Sequence, residues 1–186
     1  MIAHLYVSPF REGDVNLSHR LLLAAARQYA GSAFDSTIAF GPFGKPYFPH
    51  APGIHFNITH SGDYWMCAFA DAPVGVDLQR YQSCDRADLS RKFFHPVEDA
   101  FLCQRGYADF FELWSAKESY LKYTGQGITQ NLNEHSVVAI DGRFPAAAGA
   151  VLRFLPWLPD YALCICTSVP CAVYIHRLSP MSWPAI

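Results

Sequence analysis

Trp114-Ser115-Ala116-Lys117-Glu118-Ser119-Tyr120-Leu121-Lys122 is the stretch on which the reading of this chain turns. Phe110, Leu113, Trp114 and Leu121 recur at helical spacing, Ala116, Lys117 and Glu118 are good helix formers, and Gly125 suits a C-terminal cap. Glu118 and Lys122 stand four apart, so a helix shows both on one face, with Ser115 and Phe111 beside that stripe. Upstream, Val74 to Gln79 reads as a strand, with Val74, Val76 and Leu78 pointing one way and Gly75, Asp77 and Gln79 the other. A carboxylate on a strand beside a carboxylate-and-lysine face on a helix suits a divalent cation with a phosphate. Magnesium takes hard oxygen ligands, usually one or two carboxylates completed by substrate phosphate oxygens, and lysine adds a positive point charge. On spacing alone the favoured reading is structural, the Glu–Lys pair as a solvated helix face and the lone Asp as an edge or turn residue.

Composition narrows the class. The chain has 186 residues, 51% hydrophobic and only 16% charged, which describes a globular protein with a sizeable core rather than a disordered one. A net charge of −2 gives no field for general nucleic-acid or membrane-surface binding, so neither partner is expected. The six cysteines form no CxxC pairs, and several sit in apolar runs such as Met66-Cys67-Ala68, as buried small hydrophobes of a reducing compartment do. The short apolar start runs into Arg11, Glu12 and Asp14, unlike a signal peptide, and no apolar run reaches membrane-spanning length. A cytoplasmic location is the expectation.

In chain order, Ala3 to Val7 reads as a strand ended by Pro9. A helix capped by Asn16 or Ser18 follows and stops at Gly31. Gly41 to Pro52 is a Gly/Pro-rich loop. Its Gly44-Lys45-Pro46 is no P-loop, because that pattern needs Ser or Thr after the lysine and Pro46 has no N–H to offer. Ile54, Phe56 and Ile58 alternate as a strand leading to Thr59-His60-Ser61-Gly62, and no G-x-S-x-G elbow supports a hydrolase reading of that His. Tyr64 to Ala70 is a further strand. Asp85 caps a helix to Phe94, and His95-Pro96 restarts one with Glu98 in its first turn. After the main helix, Gly125-Gln126-Gly127 reads as a loop. Ser136 to Ile140, Val151 to Trp157, Tyr161 to Thr167 and Ala172 to Arg177 read as strands, with Asp141-Gly142 a hairpin signal. Sheet elements, helices and sheet again give an α+β class.

Several of these words, in this order, resemble the 4′-phosphopantetheinyl transferase family, in its larger, pseudo-dimeric, surfactin-synthetase-activating type. The family's Gly-[Val/Ile]-Asp strand stands here as Gly75 to Asp77, and its Trp-[Ser/Thr]-x-Lys-Glu-x-x-x-Lys helix as Trp114 to Lys122. FNITHSG (Phe56 to Gly62), GKPY (Gly44 to Tyr47) and RKFFHPVE (Arg91 to Glu98) match as well, so the resemblance runs from about Leu17 to Thr167.

The resemblance implies two similar α/β halves related by a pseudo-twofold, residues 1–75 and 76–186, the second carrying the metal site in a monomer. It implies transfer of the 4′-phosphopantetheine arm of coenzyme A to a serine of an apo acyl or peptidyl carrier protein, with Mg²⁺, releasing 3′,5′-ADP. Asp77 and Glu118 would be metal ligands, with Gln79 at a third position. Glu118, or a metal-bound water, would take the serine proton. Lys122 would pair with the pyrophosphate, helped by Lys117, while Arg20, Lys45, Thr59 and His60 would contact coenzyme A. Trp114 would serve as a packing anchor. Two departures stand out. Many relatives have Glu where Gln79 stands, and the Lys/Arg-rich segment that many place before the Arg20 helix is not found ahead of it here. The first implies weaker metal affinity or a water at that position, and the second looser coenzyme A binding or a different grip on the nucleotide. A non-catalytic relative that binds coenzyme A or a carrier protein is the alternative.

Overall fold

Alternation in Ile2–Pro9 sends Ala3, Leu5 and Val7 to one face and Tyr6 to the other, and both faces are buried, so this strand, β1, runs through the middle of a sheet. The computed structural model describes residues 1–11, 15–125 and 132–178. After β1 come helix α1 (Val15–Ala30) and the short strands β2 (Ala39–Phe40) and β3 (Pro46–Tyr47). Strands β4 (His55–Ser61), β5 (Tyr64–Ala70) and β6 (Val74–Arg80) precede helices α2 (Arg86–Phe93), α3 (Pro96–Gln104) and α4 (Phe110–Thr124). The last strands are β7 (Val151–Phe154), β8 (Tyr161–Thr167) and β9 (Ala172–Arg177).

One sheet has the order β4-β5-β1-β9 and a second the order β6-β8-β7. All pairings are antiparallel except β1 with β9, which closes the end of the chain onto its beginning in parallel register. The expected boundary after residue 75 falls inside β6, and β9 pairs with the first sheet. The sheets enclose a core of Leu5, Val7, Met66, Ala68, Val76, Leu78, Leu163 and Ile165. Helix α1 covers the other face of the first sheet through Leu21, Leu22, Ala25 and Ala26 against Trp65 and Phe69. Helix α4 covers the other face of the second, packing Phe110, Leu113 and Ala116 near Ala162 and Cys164. Each large apolar side chain so buried contributes about 1.5–3 kcal/mol.

The α+β class and most elements match the sequence reading, with three differences. Helix α1 begins at Val15, so Asn16 and Ser18 lie inside its first turn rather than at a cap. The Ser18 hydroxyl instead accepts the Trp65 indole N–H at 2.9 Å. Ser136 to Ile140 is not a strand. Side chains take two of its N–H groups, Val137 N–H donating to Glu98 Oε1 (2.8 Å) and Val138 N–H to the Ser136 hydroxyl (3.1 Å), while Ala139 N–H donates to the Arg143 carbonyl (2.9 Å) across a turn. Asp141-Gly142 is still a tight turn, with Gly142 at φ 80°, but it joins no strands. Strand β7 stops at Phe154, short of Trp157, with Leu155 N–H making one further bond to the Leu163 carbonyl at 2.9 Å before Pro156. Gln126 and Gly127 lie outside the described residues.

The caps around the C-terminal helices follow their sequences. Asp85 Oδ1 accepts Asp88 N–H at 2.9 Å, and Glu98 reaches back to the His95 N–H at 2.9 Å. Gly125 ends α4 in the left-handed region at φ 72°. Trp114 is half-buried and packs on Phe94 and Phe110, as a packing anchor would. All six cysteines are free; Cys67, Cys164, Cys166 and Cys171 are buried.

Candidate active site

Helix α4 lies directly against β6. A Cβ on Gly75 would stand 2.0 Å from the Ser119 carbonyl oxygen and 2.5 Å from the Tyr123 nitrogen, so only glycine permits this approach. One residue pair further along, the buried Ser115 hydroxyl donates to the Asp77 carbonyl at 2.9 Å. These two contacts bring the strand motif and the helix motif together and set Asp77, Glu118 and Lys122 side by side.

The other edge of β6 is held by β4, through side chains rather than a backbone ladder. Asn57 Oδ1 accepts Val76 N–H (2.9 Å), Thr59 Oγ1 accepts Leu78 N–H (3.1 Å), and Ser61 Oγ accepts Arg80 N–H (2.9 Å). Alternate residues of one strand thus serve alternate N–H groups of the other. The edge is satisfied without exposing it to water.

Asp77 is buried. Its Oδ1 accepts from the Lys122 ammonium at 2.7 Å and from the Thr59 hydroxyl at 3.2 Å, while Oδ2 is buried with no partner. Burial pushes its carboxyl above the usual range, against the pull of Lys122, Thr59 and Ser115. Glu118 is 6% exposed and makes no hydrogen bond to any described residue. Burial, and then the Asp77 charge, push its carboxyl up to about 7, opposed by Lys122 and Lys117. The group therefore sets two buried carboxylates against one half-buried ammonium, which is already paired with Asp77 Oδ1. A divalent cation fits that imbalance and the orphaned Oδ2. Among the described residues no cluster of three or more His, Cys, Asp and Glu occurs, so the remaining ligands would be water or substrate oxygens, as magnesium prefers.

The other expected site residues are placed as follows. Gln79 follows Asp77 on the same face of β6, and its amide donates to the Arg80 carbonyl at 3.2 Å. Lys117 does not join the group. Its fully buried ammonium binds both oxygens of Glu98 (2.8 and 3.0 Å) and the carbonyl of His135. Lys45 reaches the carboxyl end of α4, donating to the carbonyls of Lys122 (2.5 Å), Tyr123 (3.3 Å) and Val74 (3.5 Å). Burial lowers its pKa. Lys45 and Lys122 nevertheless line one cleft of about 220 Å³ with Asn57 and Phe43. Arg20 is half-buried on α1. His60 projects from the opposite face of β4 to Thr59 and is exposed, its ring against Phe10.

Local pattern places Glu98 in a helix's first turn and Ser115 beside the Glu118–Lys122 stripe, but not their contacts to Lys117 and to the Asp77 carbonyl. The capping pattern of His95 to Glu98 was the available signal for the first, and Ser115's place on the Glu118–Lys122 stripe for the second.

A model of the 4′-phosphopantetheinyl transferase superfamily matches residues 73–166, half of the chain, from β6 to β8. The chain is 32% identical over 175 residues to a 4′-phosphopantetheinyl transferase of Bacillus subtilis, covering 82% of this chain and 75% of that protein. It is 37% identical over 142 residues to the 4′-phosphopantetheinyl transferase psf-1 of Bacillus pumilus, covering 74% and 54%. To the 4′-phosphopantetheinyl transferase Sfp of Bacillus subtilis strain 168 it is 33% identical over 131 residues, covering 64% and 58%, so it spans little more than half of these last two relatives. The match falls on the strand and helix that bring Asp77, Glu118 and Lys122 together, and the chain belongs to the 4′-phosphopantetheinyl transferase superfamily.

Proposed function

We propose that this protein transfers the 4′-phosphopantetheine arm of coenzyme A to a serine hydroxyl of an apo acyl or peptidyl carrier protein, in the presence of Mg²⁺, releasing 3′,5′-ADP. The observation that carries this reading is the buried group of Asp77, Glu118 and Lys122, with an unpartnered Asp77 oxygen, on the elements matched by the family. Asp77 and Glu118 would hold the cation, with Gln79 beside them. Bound Mg²⁺ supplies positive charge that lowers the cost of developing charge on the pyrophosphate.

The chain's own residues do the rest. The carrier serine oxygen bonds to the phosphorus that bears the pantetheine. The bond from that phosphorus to the bridging oxygen breaks, and 3′,5′-ADP leaves with the electron pair. Glu118 would accept the serine proton. Lys122, on the cleft wall and paired with Asp77, would offer its remaining N–H donors to the pyrophosphate. Lys45 on the same wall is the second cation available to coenzyme A phosphates.

Mass spectrometry of an apo carrier protein incubated with this protein, coenzyme A and Mg²⁺ tests the reading. A gain of one phosphopantetheine arm, absent with Asp77→Ala and Glu118→Ala, is expected. No gain on any of several apo carriers of fatty-acid, polyketide and peptide synthesis would refute it.

A further inference from the structure

Thr59 lies at the crossing of three elements, and its contacts leave its single hydroxyl proton one destination. The Leu78 N–H from β6 donates to Oγ1 at 3.1 Å. The Lys122 ammonium from α4 stands 3.4 Å from the same oxygen, and an ammonium only donates. The remaining neighbour is Asp77 Oδ1 at 3.2 Å, a carboxylate acceptor. The proton must therefore point at Asp77. Thr59 is 4% exposed, so little water competes for these positions. Ser115, on α4, holds the main chain of Asp77 through its carbonyl at 2.9 Å.

We infer that Thr59 is a positioning residue for Asp77: its hydroxyl, fixed by the Leu78 N–H, turns the carboxylate so that Oδ1 faces Thr59 and Lys122 and Oδ2 is left for a metal ion. This rests on the reading of Asp77 as a metal ligand and adds a role for Thr59 separate from any contact with coenzyme A. The three rungs between β4 and β6 are alike as hydrogen bonds to main-chain N–H groups. Of these rungs, only Thr59 also donates to Asp77. Thr59→Val keeps the shape and removes the hydroxyl, Thr59→Ser keeps the hydroxyl, and Ser61→Ala removes a neighbouring rung without touching Asp77.

The test is calorimetric titration of Mg²⁺, and paramagnetic titration of Mn²⁺, into the metal-free protein, with an unfolding curve for each variant. Losing a hydrogen bond to a charged group predicts about tenfold weaker metal binding or more in Thr59→Val. Thr59→Ser should bind like the wild type, and Ser61→Ala should lose stability but keep metal affinity. If Thr59→Val does not fold, Thr59→Ala takes its place with the same expectation. Wild-type metal affinity in the hydroxyl-free variant, with only coenzyme A affinity lost, would overturn the proposal, as would equal metal loss in Ser61→Ala. Absence of metal binding by the wild type would instead overturn the reading of Asp77 itself.

Discussion

Gly75→Ala is the smallest change that should separate the strand of the site from its helix. The added methyl carbon would sit 2.0 Å from Ser119 O and 2.5 Å from Tyr123 N, whereas ordinary contact begins at 3.4 Å. Both neighbours are main-chain atoms of α4 and cannot rotate aside, so the helix must move by about 1.4 Å, the shortfall against Ser119 O. Two effects compete. Replacing glycine by alanine restricts the unfolded chain and favours folding by about 0.4–1 kcal/mol. Overpacking of a filled interface costs about 1–3 kcal/mol, and here the clash is with backbone, so the upper end applies and destabilisation wins. The functional loss should be larger than the loss of fold. Lys122 reaches Asp77 across this interface at 2.7 Å, and Glu118 rides on the same helix. A displacement of about 1 Å in positioned groups costs on the order of a hundredfold in rate. Urea unfolding and initial rates of carrier modification by mass spectrometry would be measured beside Gly53→Ala, where a methyl group meets nothing within 4 Å. Gly75→Ala with wild-type stability and a rate within about twofold of wild type would refute the close-approach argument.

Three further outcomes follow from the buried charges. Lys117→Met strands Glu98 as an uncompensated buried carboxylate and should cost about 3–5 kcal/mol by urea unfolding; a loss under about 1 kcal/mol would show that the pair is not the anchor it resembles. Glu118 is raised from 4.5 to about 7, so the folded, metal-free protein keeps a proton that the unfolded chain releases between these values. Its contribution is therefore fully present below about 4.5 and lost as pH rises to about 7, on the order of 3 kcal/mol, relative to Glu118→Gln. Unfolding curves of both proteins at pH 5 and pH 7.5 check the sign, and an unchanged difference between them contradicts it. Lys45→Met removes a cation from the carboxyl end of α4 and should lower stability by about 0.3–2 kcal/mol even without coenzyme A. An unfolding midpoint equal to wild type would leave Lys45 with no role in holding the helix.

The site was legible in the sequence where one element's periodicity sets the geometry. Glu118 and Lys122 share a face because a helix repeats every 3.6 residues, and Asp77 follows Gly75 onto one side of a strand because a strand repeats every two. Where a residue's partner comes from a distant part of the chain, local pattern was silent. Lys117 reads like Lys122 in the helix motif, yet it sits one residue before Glu118 and is turned into the helix-packing side, where Glu98 and the His135 carbonyl meet it. Ser136 to Ile140 carries the β-branched residues of a strand, yet with no strand paired to it among the described residues the Val137 and Val138 N–H groups go to Glu98 and Ser136, and that of Ala139 to the Arg143 carbonyl.

The β4 segment shows why such misreadings have a physical cause. Phe56 and Ile58 give the apolar half of an ordinary alternation, which places Asn57, Thr59 and Ser61 toward water. In the fold that polar face is covered too, with Asn57 and Thr59 buried like Phe56 on the other face, because the free edge of β6 lies over it. A strand edge presents N–H groups every second residue, and a row of short polar side chains with the same period is what satisfies them away from water. The period-two polarity that normally marks a solvent face here marks a seam between two sheets, and Thr59, the middle rung, is the one that reaches Asp77.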